Sequence, residues 1–375
     1  MKVGIMSMQR IINYGSFLQS YSLKKNFEAL GAETTFVDYV PGEVLVSKNE
    51  GKDGKLSKIL NKVRSHVLFP RKNNNELMNS YWRDYQKLDS SFYSDVLPLL
   101  GVTKEKNYKP ELDALVIGSD EVFNCLQANP DVGYSKELFG YDNRAQKLCT
   151  YAASFGNTRE DGLRDYGIYD EVKSMIGRFD ALSARDKNTY DILNKMYDGY
   201  ICKNVDPVFL YDYHDEVDNI KVEENNYIVV YAYAKRFSQK ESANIIRFAK
   251  KHNKKIICLC APQEYIEGYK ALKPFEILAY VKNADYVITD TFHGSVFSIK
   301  YNKRFATFVR NTGASGNNEK LNDLLATFGL SDRSVQNARD LESILDREID
   351  YENVNSTIDN EVLKGKNYLK SILES

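Results

Sequence analysis

The chain has 375 residues, of which 43% are apolar, and a formal net charge of −1. That length favours two domains, each with a core of its own, and the balanced charge gives no basic field for nucleic acid. No apolar run reaches membrane-spanning length and the start is too short for a signal peptide, so contact with a membrane would be peripheral; five cysteines in apolar runs suit reduced thiols in a cytosol.

In chain order, Val3-Gly-Ile-Met6 reads as a first strand. Phe17, Leu18, Tyr21, Leu23, Phe27 and Leu30 then supply an amphipathic helix stopped at Gly31. Thr34–Tyr39 is a second strand, so the opening is βαβ and predicts a parallel sheet. Residues 43–75 are polar and rich in Lys and Asn; they read as an excursion with a short helix near Leu56–Leu68. A helix is expected at 76–89, carrying the single tryptophan, Trp82.

Leu112–Ile117 is the next strand, and it ends in Gly118-Ser119-Asp120-Glu121. Asp120 there either binds or deprotonates a sugar hydroxyl, or caps a following helix. A strand at Cys149–Ala153 and a helix near Tyr166–Arg178 lead to Ala181-Leu-Ser-Ala-Arg185-Asp186. Arg185 stands at a strand-to-helix junction, where a guanidinium can grip a carboxylate or phosphate at two points, or pair with Asp186 or another acid. The acidic stretch Tyr211–Asp218 is the expected domain boundary. This gives an N-terminal unit at 1–207, a linker at 208–219, a second unit at 220–350 and a terminal helix at 351–375 that crosses back to the first.

The second unit restarts with a strand at Tyr227–Tyr233, a helix near Ser238–His252 and a strand at Ile256–Leu259. No histidine or carboxylate cluster accompanies Cys258 and Cys260, so no metal site is expected. After a helix at 274–282 comes the pivotal stretch, Asp285-Tyr-Val-Ile-Thr-Asp-Thr-Phe-His-Gly-Ser-Val-Phe-Ser-Ile-Lys-Tyr301. It reads as strand, tight turn and helix. His293 therefore stands at a strand's carboxyl end, beside helix N-terminal amides that favour an anion. It either does chemistry there or caps the turn. The loop from Arg310 to Lys320, with two glycines and small hydroxyls, is a phosphate cradle or a flexible connection; it lacks Walker or dinucleotide spacing.

Several segments together resemble the polysaccharide pyruvyl transferase family: Asn13-Tyr-Gly-Ser-Phe-Leu-Gln-Ser-Tyr-Ser-Leu, Val116-Ile-Gly-Ser-Asp-Glu-Val-Phe-Asn, Leu182-Ser-Ala-Arg-Asp, Asp206-Pro-Val-Phe-Leu and Thr289-Asp-Thr-Phe-His-Gly. The resemblance implies an α/β fold of two Rossmann-like domains facing across a cleft, as in glycosyltransferase B. It implies transfer of a pyruvyl ketal from phosphoenolpyruvate to two hydroxyls of a hexose in a surface polysaccharide or its lipid-linked precursor. The setting would be cytoplasmic, at the inner face of the membrane, with no cofactor beyond the donor substrate. The family's histidine falls on His293 and its Arg-Asp pair on Arg185-Asp186. Many members carry an arginine two residues before the histidine, where this chain has Thr291.

That chemistry needs a general acid for the enol carbon, a role that suits histidine, and cationic groups or helix N-termini for the donor's charge. His293 and Asp120 are the catalytic candidates. Arg185 is the main candidate for the donor, with Arg310, Lys235 and Lys320 as helpers. Asn13, Gly15, Ser119, Gly294 and Ser295 complete the substrate-contact candidates. Two other functions fit the same architecture: a glycosyltransferase using a nucleotide-sugar, and a non-catalytic saccharide-binding member.

Overall fold

The computed structural model describes residues 1–46, 76–310 and 318–374. The expected helix near Leu56–Leu68 and the glycine-bearing part of the loop after Arg310 lie outside the described residues. The first half contains β1 (Lys2–Met6), α1 (Tyr14–Ala29), β2 (Glu33–Phe36), α2 (Glu76–Ser91), β3 (Leu112–Ile117) and β4 (Ala145–Thr150). Its four strands form a parallel sheet in the order β2-β1-β3-β4. Next come α3 (Glu160–Asp165), α4 (Tyr169–Ile176), β5 (Leu182–Ala184), α5 (Lys187–Met196) and β6 (Ile201–Lys203). The parallel pair β5-β6 continues the sheet beyond β4 through bridges from Cys149 to Ala181 and from Ala153 to Ala184.

After the single turn α6 (His214–Val217) a second parallel sheet begins. It is built from β7 (Tyr227–Ala232), α7 (Gln239–Lys251), β8 (Lys255–Cys260), α8 (Pro274–Asn283), β9 (Tyr286–Thr289), α9 (Phe292–Lys300), β10 (Arg304–Phe308), α10 (Asn318–Thr327) and β11 (Ser334–Val335). The strand order is β11-β10-β9-β7-β8. All six residues of β7 are buried, which is why Tyr-Ile-Val-Val-Tyr-Ala reads as an unbroken apolar run. The chain closes with α11 (Leu341–Asp346) and α12 (Tyr351–Glu374). α12 packs on the first half: the Tyr368 hydroxyl donates to the Thr150 carbonyl at 2.9 Å, and Gly365 lies against Tyr151 and Leu210.

Several expectations are corrected. α1 is not amphipathic, because Tyr14–Leu23 are buried on every side and even its Ser16, Gln19, Ser20, Ser22 and Asn26 are buried. Those polar groups bond locally, as where Gln19 Nε2 donates to Ser7 Oγ at 3.0 Å and to the Ser16 carbonyl at 2.9 Å. The enclosure comes from the second half, whose Phe275 meets Phe17 and Tyr21 edge-on. One apolar core accordingly runs from Val3 and Phe17 through to Val229 and Phe297, across both sheets. The helix expected at 166–178 is α4, which begins only at Tyr169 because Gly167, at φ +67°, parts it from the short α3 before it. The strand expected to run to Ala153 ends at Thr150, since Ala152 turns to φ +48°. No helix begins at Asp120, so it caps none.

Candidate functional site

The carboxyl ends of β1, β3, β7 and β9 open on a cleft of about 270 Å³ between the two halves. Two helix N-termini meet there. Asn13 caps α1, its Oδ1 accepting from the Gly15 and Ser16 amides at 2.9 and 3.2 Å. Thr291 caps α9, its Oγ1 accepting from the Gly294 amide at 2.9 Å. Asn13 also reaches across the cleft, Nδ2 donating to the Tyr233 hydroxyl at 3.1 Å. Helices starting at one place from two sheets give that place a positive end of two dipoles.

His293 occupies the first turn of α9 and lines the cleft while remaining only 6% exposed. Its ring lies on the backbone of Gly15: a Cβ added there would come within 2.1 Å of His293 Nδ1. The pairing of a glycine in one half with a histidine in the other explains a residue whose dihedral angles do not themselves require glycine. We expect Gly15→Ala to destabilise the protein by about 1–3 kcal/mol, the usual cost of overpacking. It should do so although alanine is the better helix former by about 1 kcal/mol. Chemical denaturation checks this, and an alanine variant as stable as the parent would mean the helix start simply moves aside.

Behind His293 lies Asp206, the aspartate just after β6. His293 Nε2 is 3.5 Å and Arg185 Nη1 3.3 Å from the same oxygen, Asp206 Oδ2. Its other oxygen accepts from the Val208 amide at 3.0 Å, capping the turn at Pro207–Leu210. Burial on its own would raise the Asp206 carboxyl. The contacts with His293, Arg185 and the Val208 amide outweigh it and hold the group below the ordinary carboxylate range. Arg185 is itself buried, with its guanidinium 4.4 Å from the centre of the Phe292 ring. Its Nε has no hydrogen-bond partner among the described residues, an orphan donor at the cleft wall. Asp186 is not its partner; that side chain caps α5, accepting from the Thr189 amide at 2.9 Å.

Asp120 stands on the opposite wall at φ +93°, a conformation costly for any residue with a side chain. Its Oδ2 accepts from Ser16 Oγ and its Oδ1 from the Glu121 amide at 2.9 Å. Lys320 enters from α10 to pair with Glu121. Burial pushes the Glu121 carboxyl upward, but Lys320 and, more weakly, Arg185 and Asn124 pull it well below the ordinary range.

The remaining candidates fall elsewhere. Ser119 is fully buried behind the cleft, its Oγ 3.4 Å from both Arg185 Nη1 and Asp206 Oδ2. Ser295 is fully buried too and bonds the Thr291 carbonyl at 3.0 Å, while Gly294 supplies the capped amide. Lys235 does not line the cleft; its ammonium lies 5.1 Å over the ring of Trp82. Arg310 sits one layer back, 2.5 Å from Glu241 and 3.4 Å from Asp290.

Arg236 was missed in the sequence. It follows β7, lines the cleft, and donates from Nε to Asp290 Oδ2 at 2.6 Å. A guanidinium therefore reaches the region of Thr291 from a neighbouring strand end. Asp206 was visible as the close of the first half and in one of the segments that carry the resemblance, with no role given to it, and Tyr233 only as the end of a strand. The rule that ligands sit at strand ends pointed to all three, but nothing in their spacing distinguished them from other strand-end residues. Away from the cleft, His252, Glu342 and Asp346 bring ligand atoms within 4.8 Å of one another, the one such trio among the described residues.

Two Rossmann-like α/β units with parallel sheets, a cleft between their strand ends and a last helix recrossing to the first unit define a glycosyltransferase B-like protein. Residues 13–312 match the family described as polysaccharide pyruvyl transferase, and the chain belongs to that family. No curated protein matches the sequence significantly. Solved structures similar to this chain include the S. aureus MnaA–UDP complex, with 12% identity, a TM-score of 0.48 and coverage of 95% of this chain and 90% of that one. Another is the UDP-GlcNAc 2-epimerase of Methanocaldococcus jannaschii, with 9% identity, a TM-score of 0.49 and coverage of 93% of both chains. Likenesses this distant carry no argument about chemistry. No described helix is long and apolar enough to cross a membrane.

Proposed function

We propose that this protein transfers the pyruvyl group of phosphoenolpyruvate to two hydroxyls of a hexose, forming a cyclic ketal on a polysaccharide or its lipid-linked precursor. The observation that carries the reading is the place of the family's histidine. His293 lies where two helix N-termini converge, backed by a carboxylate and flanked by arginines. In this reading residues 1–207 supply the acceptor wall and residues 220–350 the donor wall, joined through 208–219, and the reaction takes place in the cytoplasm at the inner face of the membrane. It asks for no cofactor beyond the donor.

His293, backed by Asp206, gives a proton to the methylene carbon of the enol. The carbon bearing the phosphate becomes oxocarbenium-like and is attacked by the first sugar hydroxyl, whose proton passes to Asp120 or water. The phosphate then leaves with its bonding electron pair, and the second hydroxyl closes the ring as its proton passes to His293. Arg185, Arg236, Lys320 and the two helix ends stabilise the carboxylate and phosphate. Arg236 stands in for the arginine that Thr291 replaces.

Phosphate release from phosphoenolpyruvate, measured with a panel of lipid-linked or nitrophenyl hexosides, tests the reading. Release without any ketal product, or none with any acceptor, would reject it. Arg236→Gln should weaken donor binding by about 1.5–3 kcal/mol, the range for a hydrogen bond to a charged group. The effect belongs in the donor's KM or dissociation constant rather than in the acceptor's. An unchanged donor affinity would return Arg236 to a structural role as the partner of Asp290.

A further inference from the structure

Ile11 lines the cleft and also lines a second, larger basin of about 660 Å³ that opens beside it. One wall comes from the chain around Asp38–Pro41 and another from residues 93–106. Tyr39 and Tyr93 give it aromatic surface; Tyr93 is 49% exposed and its hydroxyl donates to the Arg10 carbonyl at 3.2 Å. Three cations, Arg10, Lys104 and Lys106, face two carboxylates, Asp38 and Asp131. Arg10 is already committed: Nε and Nη2 donate to the two Asp38 oxygens at 2.5 and 2.8 Å, and Nη1 donates to the Thr103 carbonyl at 2.9 Å. Asp38 also accepts from the Asn107 amide at 2.8 Å. The two lysines make no ion pair and no hydrogen bond among the described residues. Desolvation, with the like charge of Arg10, lowers the Lys106 ammonium below the ordinary lysine value, against the pull of Asp38 and Asp131. A basin of this volume is of ligand size, aromatic faces suit sugar rings, and two lysines that make no ion pair among the described residues leave three cations against two carboxylates, a balance that favours an anion.

We propose that this basin holds the portion of the acceptor glycan next to the modified sugar, and that it selects an acceptor carrying an anionic group there, either a uronate carboxylate or a phosphate. The identity of the ligand as an acceptor rests on the pyruvyl-transfer reading; the binding itself can be measured without turnover. Three matched disaccharide glycosides serve as probes: one neutral, one with a uronic acid and one phosphorylated at the same unit.

At low salt an anionic probe should bind the wild-type protein about tenfold tighter than the neutral one, what one charged hydrogen bond supplies. Lys106→Gln should bring the affinities within about twofold, and high salt should do the same. Whichever anionic probe shows the preference identifies the group. Transfer to a plain nitrophenyl hexoside should be unaltered in Lys106→Gln, and an unchanged unfolding midpoint will show that the variant folds. Equal binding of all three probes by the wild type, absence of binding by all three, or a preference that survives Lys106→Gln overturns the proposal. Charge-selective binding without ketal formation would instead count against pyruvyl transfer and leave the basin standing. Ketal formation without charge selection would do the reverse.

Discussion

Replacing His293 by glutamine is expected to lower turnover by about 10²–10⁴-fold, the range for losing a general acid. Donor affinity should change only modestly, because the cationic groups and both helix N-termini remain. Glutamine is the apt replacement because the ring is packed between Gly15 and Phe297, and a much smaller side chain would add a cavity to the loss of the acid. Turnover within a few-fold of wild type would leave His293 as the residue that packs α9 against α1.

Asp206→Asn is expected to be the most destabilising single change in the site, by about 3–5 kcal/mol, because it leaves a buried arginine without its counter-charge. Adding Arg185→Met to Asp206→Asn should recover part of that loss, since removing both charges avoids the uncompensated burial. Activity should not return with stability. The wild type also carries a pH signature. The folded carboxyl titrates below its unfolded value, ordinarily about 3.9, so the unfolded chain holds the extra proton between the two. The stabilisation is complete above the unfolded value and is lost as pH falls through the folded one. Denaturation midpoints measured from neutral pH down into this acid window should fall less steeply in the asparagine variant. Equal slopes, or a stability loss under about 1 kcal/mol, would show that Arg185 finds an equal partner in Asp120 or Glu121.

Much of the fold was legible because its strands are buried on both faces. Val3–Met6, Leu112–Ile117 and Tyr286–Ile288 are apolar runs that end at a glycine or hydroxyl residue, Tyr227–Tyr233 is another apolar run, and alternation with helices dictates parallel sheets. The placing of His293 at a helix start followed from the same local pattern, as did the helix through Phe17, although its start at Tyr14, capped by Asn13, comes earlier than expected. Both are set by capping groups within three or four residues, the range over which sequence order and spatial proximity coincide.

What the chain order could not supply is which strand ends face one another. Residues 15 and 293, and 206 and 293, come together only when the two sheets dock, and residues 236 and 290 only when β7 pairs with β9; no periodicity encodes a contact between separate elements. The same docking decides that α1 is buried on every side over Tyr14–Leu23, that Ser119 and Ser295 lie behind the cleft, and that Lys235 turns away toward Trp82. The sequence by itself determined two sets of alternating strands and helices and a histidine at a strand's carboxyl end. Only the tertiary structure supplied the buried carboxylate and the second arginine beside it, because a desolvated charge pair depends on what surrounds it in space and not on its neighbours along the chain.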